Sequence, residues 1–244
     1  MQLDYFSYTA SGGREYNEDS VGTKVNEGNG IFIVADGLGG HRKGEMASDC
    51  AVRTVLEAYD DSFPAGSTDR RSWLNTVLAD VNTRILGLQK DNSCIMKTTA
   101  VVLCIDGQTA TWAHVGDSRL YYINNSSIAH ITADHSVAYK KYAAGEISRH
   151  DINTDEDQST LLRSLGSPDR YEAQLCAGPV VVTAGDAFCL CSDGAWEFLH
   201  DEEILIDYFK AKDAKEWAEK LLLRIIDRVD GKSDNLSVIT VMTG

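Results

Sequence analysis

The sequence predicts an α+β fold built from layers of sheet and helix. Seven apolar runs rich in β-branched and aromatic residues have the composition of strands, and three segments have the 3.6-residue periodicity of one-sided helices. These strands and helices come in blocks, without the strict alternation of a parallel βαβ fold. The 244 residues contain three prolines and no internal repeat or low-complexity tract. No linker is apparent, so we predict one domain, residues 1–244.

The predicted strands share a high content of Val, Ile, Leu and aromatic residues and are residues 31–35, 99–105, 110–115, 120–123, 180–183, 188–191 and 236–242. The predicted helices each carry apolar residues on one face and are residues 44–59, 74–88 and 218–229. Such a stripe is typical of a helix that packs on a sheet. Residues 137–159 are polar and charged and show neither periodicity, so we predict a mobile flap there.

Acidic residues outnumber basic ones in this chain. Lys and Arg total 23 and Asp and Glu total 37, which gives a formal net charge of −14. That charge repels polyanions, so we expect no nucleic-acid partner and no anionic membrane surface as a partner. A phosphate substrate would need cations to offset the same repulsion.

The cysteines and the N-terminus indicate a cytoplasmic protein. The six cysteines contain no Cys-x-x-Cys pair and sit mostly in apolar runs, which is typical of buried, reduced thiols. The N-terminus shows no basic start followed by an apolar signal region. No uncharged run approaches the roughly 20 residues of a membrane helix. A monomer is the default expectation for the oligomeric state.

An aspartate follows each of three predicted strands. Asp36, Asp117 and Asp193 take these positions, and Asp234 comes just before the predicted strand at residues 236–242. Because strand ends are rigid, they hold carboxylates at fixed separations, which a site for hard divalent cations requires. A single Asp-Gly pair is more typical of a turn. Four such placements favour a metal site.

The other residue types favour magnesium or manganese over zinc. Glycine follows both Asp36 and Asp193, which allows a tight turn that exposes a carbonyl oxygen as a further ligand. The six histidines are scattered and show no His-x-x-x-His spacing, which argues against zinc. Oxygen ligands favour Mg²⁺ or Mn²⁺. Two such ions about 3.5–4 Å apart can activate a shared water and stabilise an in-line displacement at phosphorus.

Nine short motifs occur in a fixed order along nearly the whole chain. They lie at residues 14–19, 34–41, 44–48, 98–100, 115–119, 134–136, 163–166, 192–194 and 233–235. With this set, the chain resembles the metal-dependent serine/threonine protein phosphatases of the protein phosphatase 2C-like (PPM) family, in particular its compact bacterial members. The resemblance implies a four-layer α-β-β-α sandwich of two antiparallel sheets flanked by helices, with metal ions in a cleft at one end of the strands.

The resemblance also implies metal-binding roles for individual residues. Asp36 would bridge two metal ions, and the carbonyl oxygen of Gly37 would bind one of them. Asp193 and Asp234 would complete the ligand shell of the first ion. Asp19 would act on the second ion, partly through water.

Three further residues match family positions around this pair of ions. Asp117 matches the residue associated with a third, weaker ion, which would share Asp193. Arg14 matches the arginine that grips the substrate phosphate, and a guanidinium fork can bind two phosphoryl oxygens. Glu18 either accepts a hydrogen bond from metal-bound water or is simply solvated.

These assignments predict hydrolysis of phosphoserine and phosphothreonine in proteins by a water that bridges two Mn²⁺ or Mg²⁺ ions, without a phosphoenzyme. No cysteine is followed six positions later by arginine, which independently argues against a cysteine nucleophile. Leu38 stands where eukaryotic relatives have a histidine after Asp-Gly. His41 is a candidate general acid, although a structural hydrogen bond is its favoured role and metal-bound water is the main alternative acid.

Two other functions compete with this prediction. A catalytically weak phosphatase-fold module with a binding or regulatory role would have lost a metal carboxylate, whereas Asp19, Asp36, Asp193 and Asp234 are all present. A two-metal nuclease would need a basic track for its polyanion, and the sequence has no segment rich in Lys and Arg. The expected partners are therefore phosphoproteins, the substrates of a serine/threonine kinase, with specificity set by residues 137–159 or by genomic partners such as that kinase.

Overall fold

Two β-sheets packed face to face form the centre of the protein, in a computed structural model that describes residues 1–39, 43–66 and 69–244. The strands are, in chain order, Leu3–Ala10 (β1), Asp19–Asn26 (β2), Asn29–Leu38 (β3), Lys97–Thr98 (β4), Ala100–Asp106 (β5), Thr109–Val115 (β6), Arg119–Asn124 (β7), Ser127–Ile131 (β8), Gln174–Leu175 (β9), Val180–Val181 (β10), Asp186–Cys191 (β11) and Leu236–Thr243 (β12). One sheet has the order β1-β12-β11-β7-β8, and the other has the order β10-β6-β5-β3-β2, with β4 beside β3 and β9 beside β6. All of these strand pairs are antiparallel.

Helices cover the outer faces of both sheets. They are Lys43–Ser62 (α1), Arg70–Asn92 (α2), Val137–Ala143 (α3), Asp193–Trp196 (α4), Asp201–Lys210 (α5) and Ala214–Arg228 (α6), with a 3-10 turn at His150–Thr154. The helices α1 and α2 bury Ala51 and Leu78 against the sheet that contains β3. The helices α5 and α6 bury Ile204 and Trp217 against the other sheet. Among the helices of the described chain, none is long and apolar enough to cross a membrane.

A third core lies between the two sheets. It contains large side chains from both, including Phe32 and Trp112 from one sheet and Phe188 and Ile239 from the other. Burial of such side chains is the main favourable contribution to folding. Helix, sheet, sheet and helix therefore form four layers with a core at each junction, which confirms the predicted α+β sandwich.

The predicted strands all have counterparts, but two boundaries are wrong. The strand predicted at residues 180–183 ends at Val181, because the chain turns where the Thr183 N–H donates to the Asp186 carboxylate at 2.8 Å. Asp36 does not follow its strand but lies inside β3, which continues to Leu38. The extension arises because the short strand β4 pairs with the last two residues of β3.

Several elements were not predicted. Strands β1, β2 and β8 lack a continuous apolar run, since much of each strand faces solvent or is only half-buried. The helices α3, α4 and α5 were also missed. The segment 137–159 is more regular than expected because it contains α3, which Ser136 caps by accepting a hydrogen bond from the Tyr139 N–H at 3.2 Å.

Candidate metal centre

A cavity of about 400 Å³ opens at one end of the two sheets. Its lining includes seven of the residues predicted for the site, namely Arg14, Glu18, Asp36, Gly37, Asp117, Asp193 and Asp234. Asp19 lies behind this lining, only 6% exposed, and faces Asp36 across the β2–β3 pairing. His41 lies outside the described residues. The fold thus gathers acidic groups that are as far apart in the sequence as Glu18 and Asp234, which are separated by 216 positions.

Three hydrogen bonds fix the backbone of Asp36. Its N–H donates to Thr99 Oγ1 at 3.0 Å, and its carbonyl oxygen accepts from Thr98 Oγ1 at 2.8 Å and from the Thr99 N–H at 2.9 Å. Both threonines lie at the junction of β4 and β5, so a neighbouring part of the same sheet holds Asp36 in place. The carboxylate therefore starts from a rigid point.

Asp117 lies in the turn between β6 and β7. The preceding Gly116 has φ +98°, and a Cβ there would lie 2.5 Å from Thr99 Cγ2, so only glycine fits. Trp196 Nε1 donates to the Asp117 carbonyl oxygen at 3.0 Å, and the Arg119 guanidinium stacks 3.6 Å above the Trp196 ring. The turn is therefore fixed on both sides.

Asp193 and Asp234 come from two loops in close contact. Asp193 begins α4 directly after β11, and its Oδ1 accepts the Gly194 N–H at 2.7 Å. Asp234 precedes β12; its Oδ1 accepts the Asn235 N–H at 2.8 Å and its Oδ2 accepts from Arg14 Nη2 at 2.7 Å. A Cβ at residue 194 would lie 2.1 Å from the Asn235 carbonyl oxygen, so the loops approach only because that residue is glycine.

Burial and mutual repulsion raise the pKa of four of these carboxyls. Burial raises the pKa of Asp19 to about 7, and the charges of Asp193 and Asp234 add to the increase. Burial, followed by the charge of Asp193, holds the pKa values of Asp36 and Asp117 well above their usual range. The pKa of Asp193 is itself raised, by burial and then by Asp234. Such a cluster is stable in its ionised form only with added positive charge.

The donor set fits hard divalent cations. Asp19 Oδ2 accepts from Ser192 Oγ at 2.7 Å, but Asp19 Oδ1 is buried with no hydrogen-bond partner in the described structure. A buried carboxylate oxygen without a partner is costly unless a cation binds it. Within the described ranges, no group of three or more acidic, histidine or cysteine side chains is placed to hold a metal ion as it stands. The carboxylates instead line one open cavity, and their oxygen chemistry suits Mg²⁺ or Mn²⁺.

Arg14 and Glu18 occupy the rim of the cavity. The Arg14 side chain is 60% exposed and contacts Asp234 through Nη2 alone. A guanidinium has five N–H donors, so the same side chain can also bind a phosphoryl group. Glu18 Oε1 accepts the Gly44 N–H at 3.2 Å, and burial raises its pKa. A Cβ at Gly37 would lie 2.2 Å from the Gly44 carbonyl oxygen, so β3 and the start of α1 meet without a side chain between them.

Glu197 is an acidic residue near the site that the sequence analysis missed. Burial raises its pKa to about 8, with further increases from Asp193 and Asp234. Its Oε1 accepts a hydrogen bond from Gln158 Nε2 at 3.0 Å. Glu197 stands four residues after Asp193, a spacing that places both on one side of a helical turn. That spacing was a usable signal in the sequence.

The known proteins that are similar to this chain are consistently described as protein phosphatases. The sequence profile of the family described as protein phosphatase 2C matches residues 10–222. A serine/threonine phosphatase, stp, of Listeria welshimeri is 32% identical over 93% of this chain and 90% of its own length. The structure of the S. agalactiae serine/threonine phosphatase is similar over 100% of both chains, with a TM-score of 0.88 and 25% identity.

One similar structure was solved with metal. It is the catalytic domain of the serine/threonine protein phosphatase PstP in complex with two manganese ions. It covers 98% of this chain and 97% of its own, with a TM-score of 0.83 and 26% identity.

Proposed function

This chain belongs to the protein phosphatase 2C family, and we propose that its acidic cavity hydrolyses phosphoserine and phosphothreonine in proteins with two Mn²⁺ or Mg²⁺ ions. The family resemblance seen in the motifs is thereby confirmed. Relatives are serine/threonine phosphatases, and one similar structure contains two manganese ions. The observation that carries the proposal is the convergence of Arg14 and buried carboxyls of raised pKa on one cavity.

The cavity residues divide naturally between two ions. Asp36, which is fixed at the centre of the cluster, would bridge both, with the Gly37 carbonyl oxygen as an added ligand. Asp193 and Asp234, from adjoining loops, would complete the first ion's ligands. Asp19, with its unpartnered Oδ1, would act on the second ion.

The chain's own residues position the phosphate and extend the acidic site. Bound divalent cations lower the pKa of water and offset the charge of phosphoryl oxygens. Arg14 binds the phosphoryl group, and its hydrogen bond to Asp234 keeps the guanidinium at the cavity. Asp117 would hold a third, weaker ion together with Asp193. Glu18, which lines the cavity and accepts the Gly44 N–H, would also accept a hydrogen bond from water.

Hydrolysis would be direct, without a phosphoenzyme. In the described structure all six cysteines are free thiols, and four of them are buried. None of the six lines the described cavity. The phosphoryl group is therefore transferred to water and not to a thiol of this chain.

The net charge and the segment at residues 137–159 bear on the proposed partners of this activity and on where it takes place. We propose that the substrates are phosphoproteins made by a serine/threonine kinase, that the protein is a cytoplasmic monomer and that it does not bind nucleic acid. The net charge of −14 supports the last point. Residues 1–244 would form one domain with residues 137–159 as a flap. Ser159 and Leu161 line the cavity, and Gln158 bonds Glu197 beside it, which supports a role for this segment at the site.

Phosphate release from a phosphothreonine peptide tests the proposal. The wild-type protein should release phosphate with Mn²⁺ and not with EDTA. Asp193→Asn should lower kcat/KM at least about 10²-fold, because it removes charge from the centre of the site. Asp49→Asn is the matched control, since that carboxylate is 58% exposed on α1 and outside the cavity. No turnover of several phosphopeptides by folded, metal-loaded wild type would overturn the proposal and favour a binding module.

A further inference from the structure

A second cavity, of about 480 Å³, lies beside the acidic one and has the opposite charge. Its lining includes three cationic side chains, Lys140 from α3 and Arg163 and Arg170 from the loop that precedes β9. The acidic residues of the lining are Asp134 and Glu172. We call this the basic cavity. It is unexpected in a chain of net charge −14.

The carboxylate of Asp134 does not offset these cations. Its two oxygens accept hydrogen bonds from Arg119 Nε at 2.9 Å and Arg119 Nη2 at 2.7 Å, and both side chains are buried. This bidentate pair is closed within the fold. Glu172 is then the single carboxylate that remains for the three cations of the basic cavity.

The three cations also lack counter-ions elsewhere in the described chain. None of Lys140, Arg163 and Arg170 has a carboxylate oxygen within 4 Å among the described residues. Cations that converge on one concave surface concentrate positive potential there. The basic cavity therefore attracts an anionic group from solution.

The loop holds the side chain of Arg163 and the backbone of Arg170. Arg163 is half-buried, and its Nη1 donates to the Glu172 carbonyl oxygen at 3.3 Å. The Ser164 N–H donates to the Arg170 carbonyl oxygen at 3.0 Å, which closes the loop between the two arginines. Arg163 therefore loses less side-chain freedom when an anion binds than a free surface arginine would.

The basic cavity is a direct neighbour of the acidic cavity. Leu161 lines the acidic cavity, and Leu162 and Arg163 line the basic one. This segment is fixed, because the Leu162 N–H donates to the His135 carbonyl oxygen at 2.7 Å and Leu161 pairs with Ser136. An extended chain rises about 3.3 Å per residue, so Leu161 of one lining and Arg163 of the other are roughly 7 Å apart along the chain. Two to four residues of an extended substrate span about 7–13 Å, which is enough to reach from one lining to the other.

We propose that the basic cavity binds a second anionic group of the substrate, two to four residues from the target phosphoamino acid. The group is an acidic side chain or a second phosphoryl group, since Lys140, Arg163 and Arg170 can bind either. This inference rests on the proposed phosphatase function and names its preferred substrate class. The acidic surface repels such substrates in general, so local positive charge determines which of them reach the site.

The test compares matched phosphothreonine peptides at one ionic strength with Mn²⁺. The first has neutral flanks, the second has aspartates two to four residues away on the N-terminal or C-terminal side, and the third has phosphoserine there. The wild-type protein should show a kcat/KM about tenfold higher for one acidic set than for the neutral peptide. A further gain with phosphoserine would assign the cavity to phosphoryl groups, and no further gain would assign it to carboxylates.

Variants separate this inference from a general charge effect. Lys140→Gln combined with Arg170→Gln removes two exposed cations of the cavity, and the ratio between acidic and neutral peptides should fall towards one. Arg53→Gln combined with Lys90→Gln removes two exposed cations from α1 and α2, and the ratio should stay at its wild-type value. Turnover of the neutral peptide with no acidic preference, or a preference that survives the cavity variant, would overturn this inference alone. No turnover of any peptide would overturn both proposals.

Discussion

The acidic cavity and the surface between α5 and α6 both gather carboxylates, yet the two regions differ in what surrounds those groups. In the cavity, burial and neighbouring carboxylates raise the pKa of Asp19 to about 7. Between the helices, Asp207 contacts Arg224, and Glu203 contacts Arg224 and Arg228, at 2.5–3.0 Å. The hydrogen bond from Arg228 is the main reason that the pKa of Glu203 is lowered to about 2.

The comparison separates carboxylates that stabilise the fold from carboxylates kept for chemistry. A carboxylate with an arginine partner favours the folded chain when it is ionised. A buried carboxylate among other carboxylates opposes folding when it is ionised, unless a cation binds. Asp19 and Asp36 are buried carboxylates of this second kind, surrounded by other carboxylates. A ligand that supplies positive charge explains why these two carboxylates are kept in the acidic cavity. Glu203 needs no such ligand.

The largest effect expected from this comparison is stabilisation of the folded protein by a bound metal ion. The pKa of Asp19 is raised from an ordinary value of about 4 to about 7, so between these values the folded chain holds a proton that the unfolded chain has released. The stability of the cation-free protein therefore falls as pH rises through that window. Mn²⁺ should replace the proton and restore stability. At 100 times its Kd a ligand contributes about 2.7 kcal/mol, which is roughly 5–10 °C in Tm for a chain of this size.

Thermal unfolding with Mn²⁺ and with EDTA at pH 5, 6.5 and 8 measures this effect. The difference in Tm should be largest at pH 8 and small at pH 5, where protons already neutralise the cavity. Asp193→Asn should reduce the Mn²⁺ shift at pH 8, and Asp49→Asn should leave it unchanged. An equal Mn²⁺ shift at pH 5 and pH 8 would contradict the account of the raised pKa values.

The site was largely predictable because most of its carboxylates come from aspartates that lie next to strands in the sequence. Asp117, Asp193 and Asp234 lie beside strands in the sequence, and the fold brings them to one cavity as expected. The continuation of β3 past Asp36 was not predictable, because it depends on the pairing of Gly37 and Leu38 with β4, about 60 residues away in sequence. Glu197 was not predicted because it lies one helical turn beyond the Asp193-Gly194 pair, outside the Asp-Gly pattern.

The fold was less predictable wherever burial is one-sided or shared between distant segments. Strand β1 lies at a sheet edge and lacks a continuous apolar run, so its pattern is weak. The basic cavity had no sequence signal, because Lys140, Arg163 and Arg170 are separated by 23 and 7 positions and meet only in the tertiary structure. A local pattern predicts the strand or helix to which a residue belongs. Which distant residues meet in the fold depends on contacts between strands and helices, and a local pattern does not contain that information.

A smaller effect is expected when the charge of an arginine-paired carboxylate is removed. Glu203→Gln keeps an oxygen that can accept the His200 N–H, now bonded at 3.0 Å, and removes the charge that faces Arg224 and Arg228. We expect a loss of about 1–2 kcal/mol at pH 7, reduced from the full effect of the pKa shift because the Arg228 side chain is 35% exposed. Phosphatase activity should not change.

The same variant has a defined pH dependence. The pKa of Glu203 is lowered, so its contribution is complete above about pH 4.5 and is lost as pH falls towards about 2. Urea unfolding at pH 7 and at pH 2.5 should therefore show a gap between wild type and variant that closes in acid. A gap of the same size at both pH values would mean that the charge of Glu203 is not its source.

The smallest effect is expected for an ion pair that water surrounds. Arg53 and Asp49 lie one turn apart on α1, 3.8 Å from each other, with side chains 71% and 58% exposed. A double-mutant cycle with Arg53→Gln and Asp49→Asn should give a coupling below about 0.5 kcal/mol, because solvent screens the charges and both side chains lose freedom when they pair. Urea unfolding of the four proteins at pH 7 measures it. A coupling above about 1 kcal/mol would show that exposure does not set the strength of ion pairs here, and the contrast between Glu203 and the acidic cavity would then need another cause.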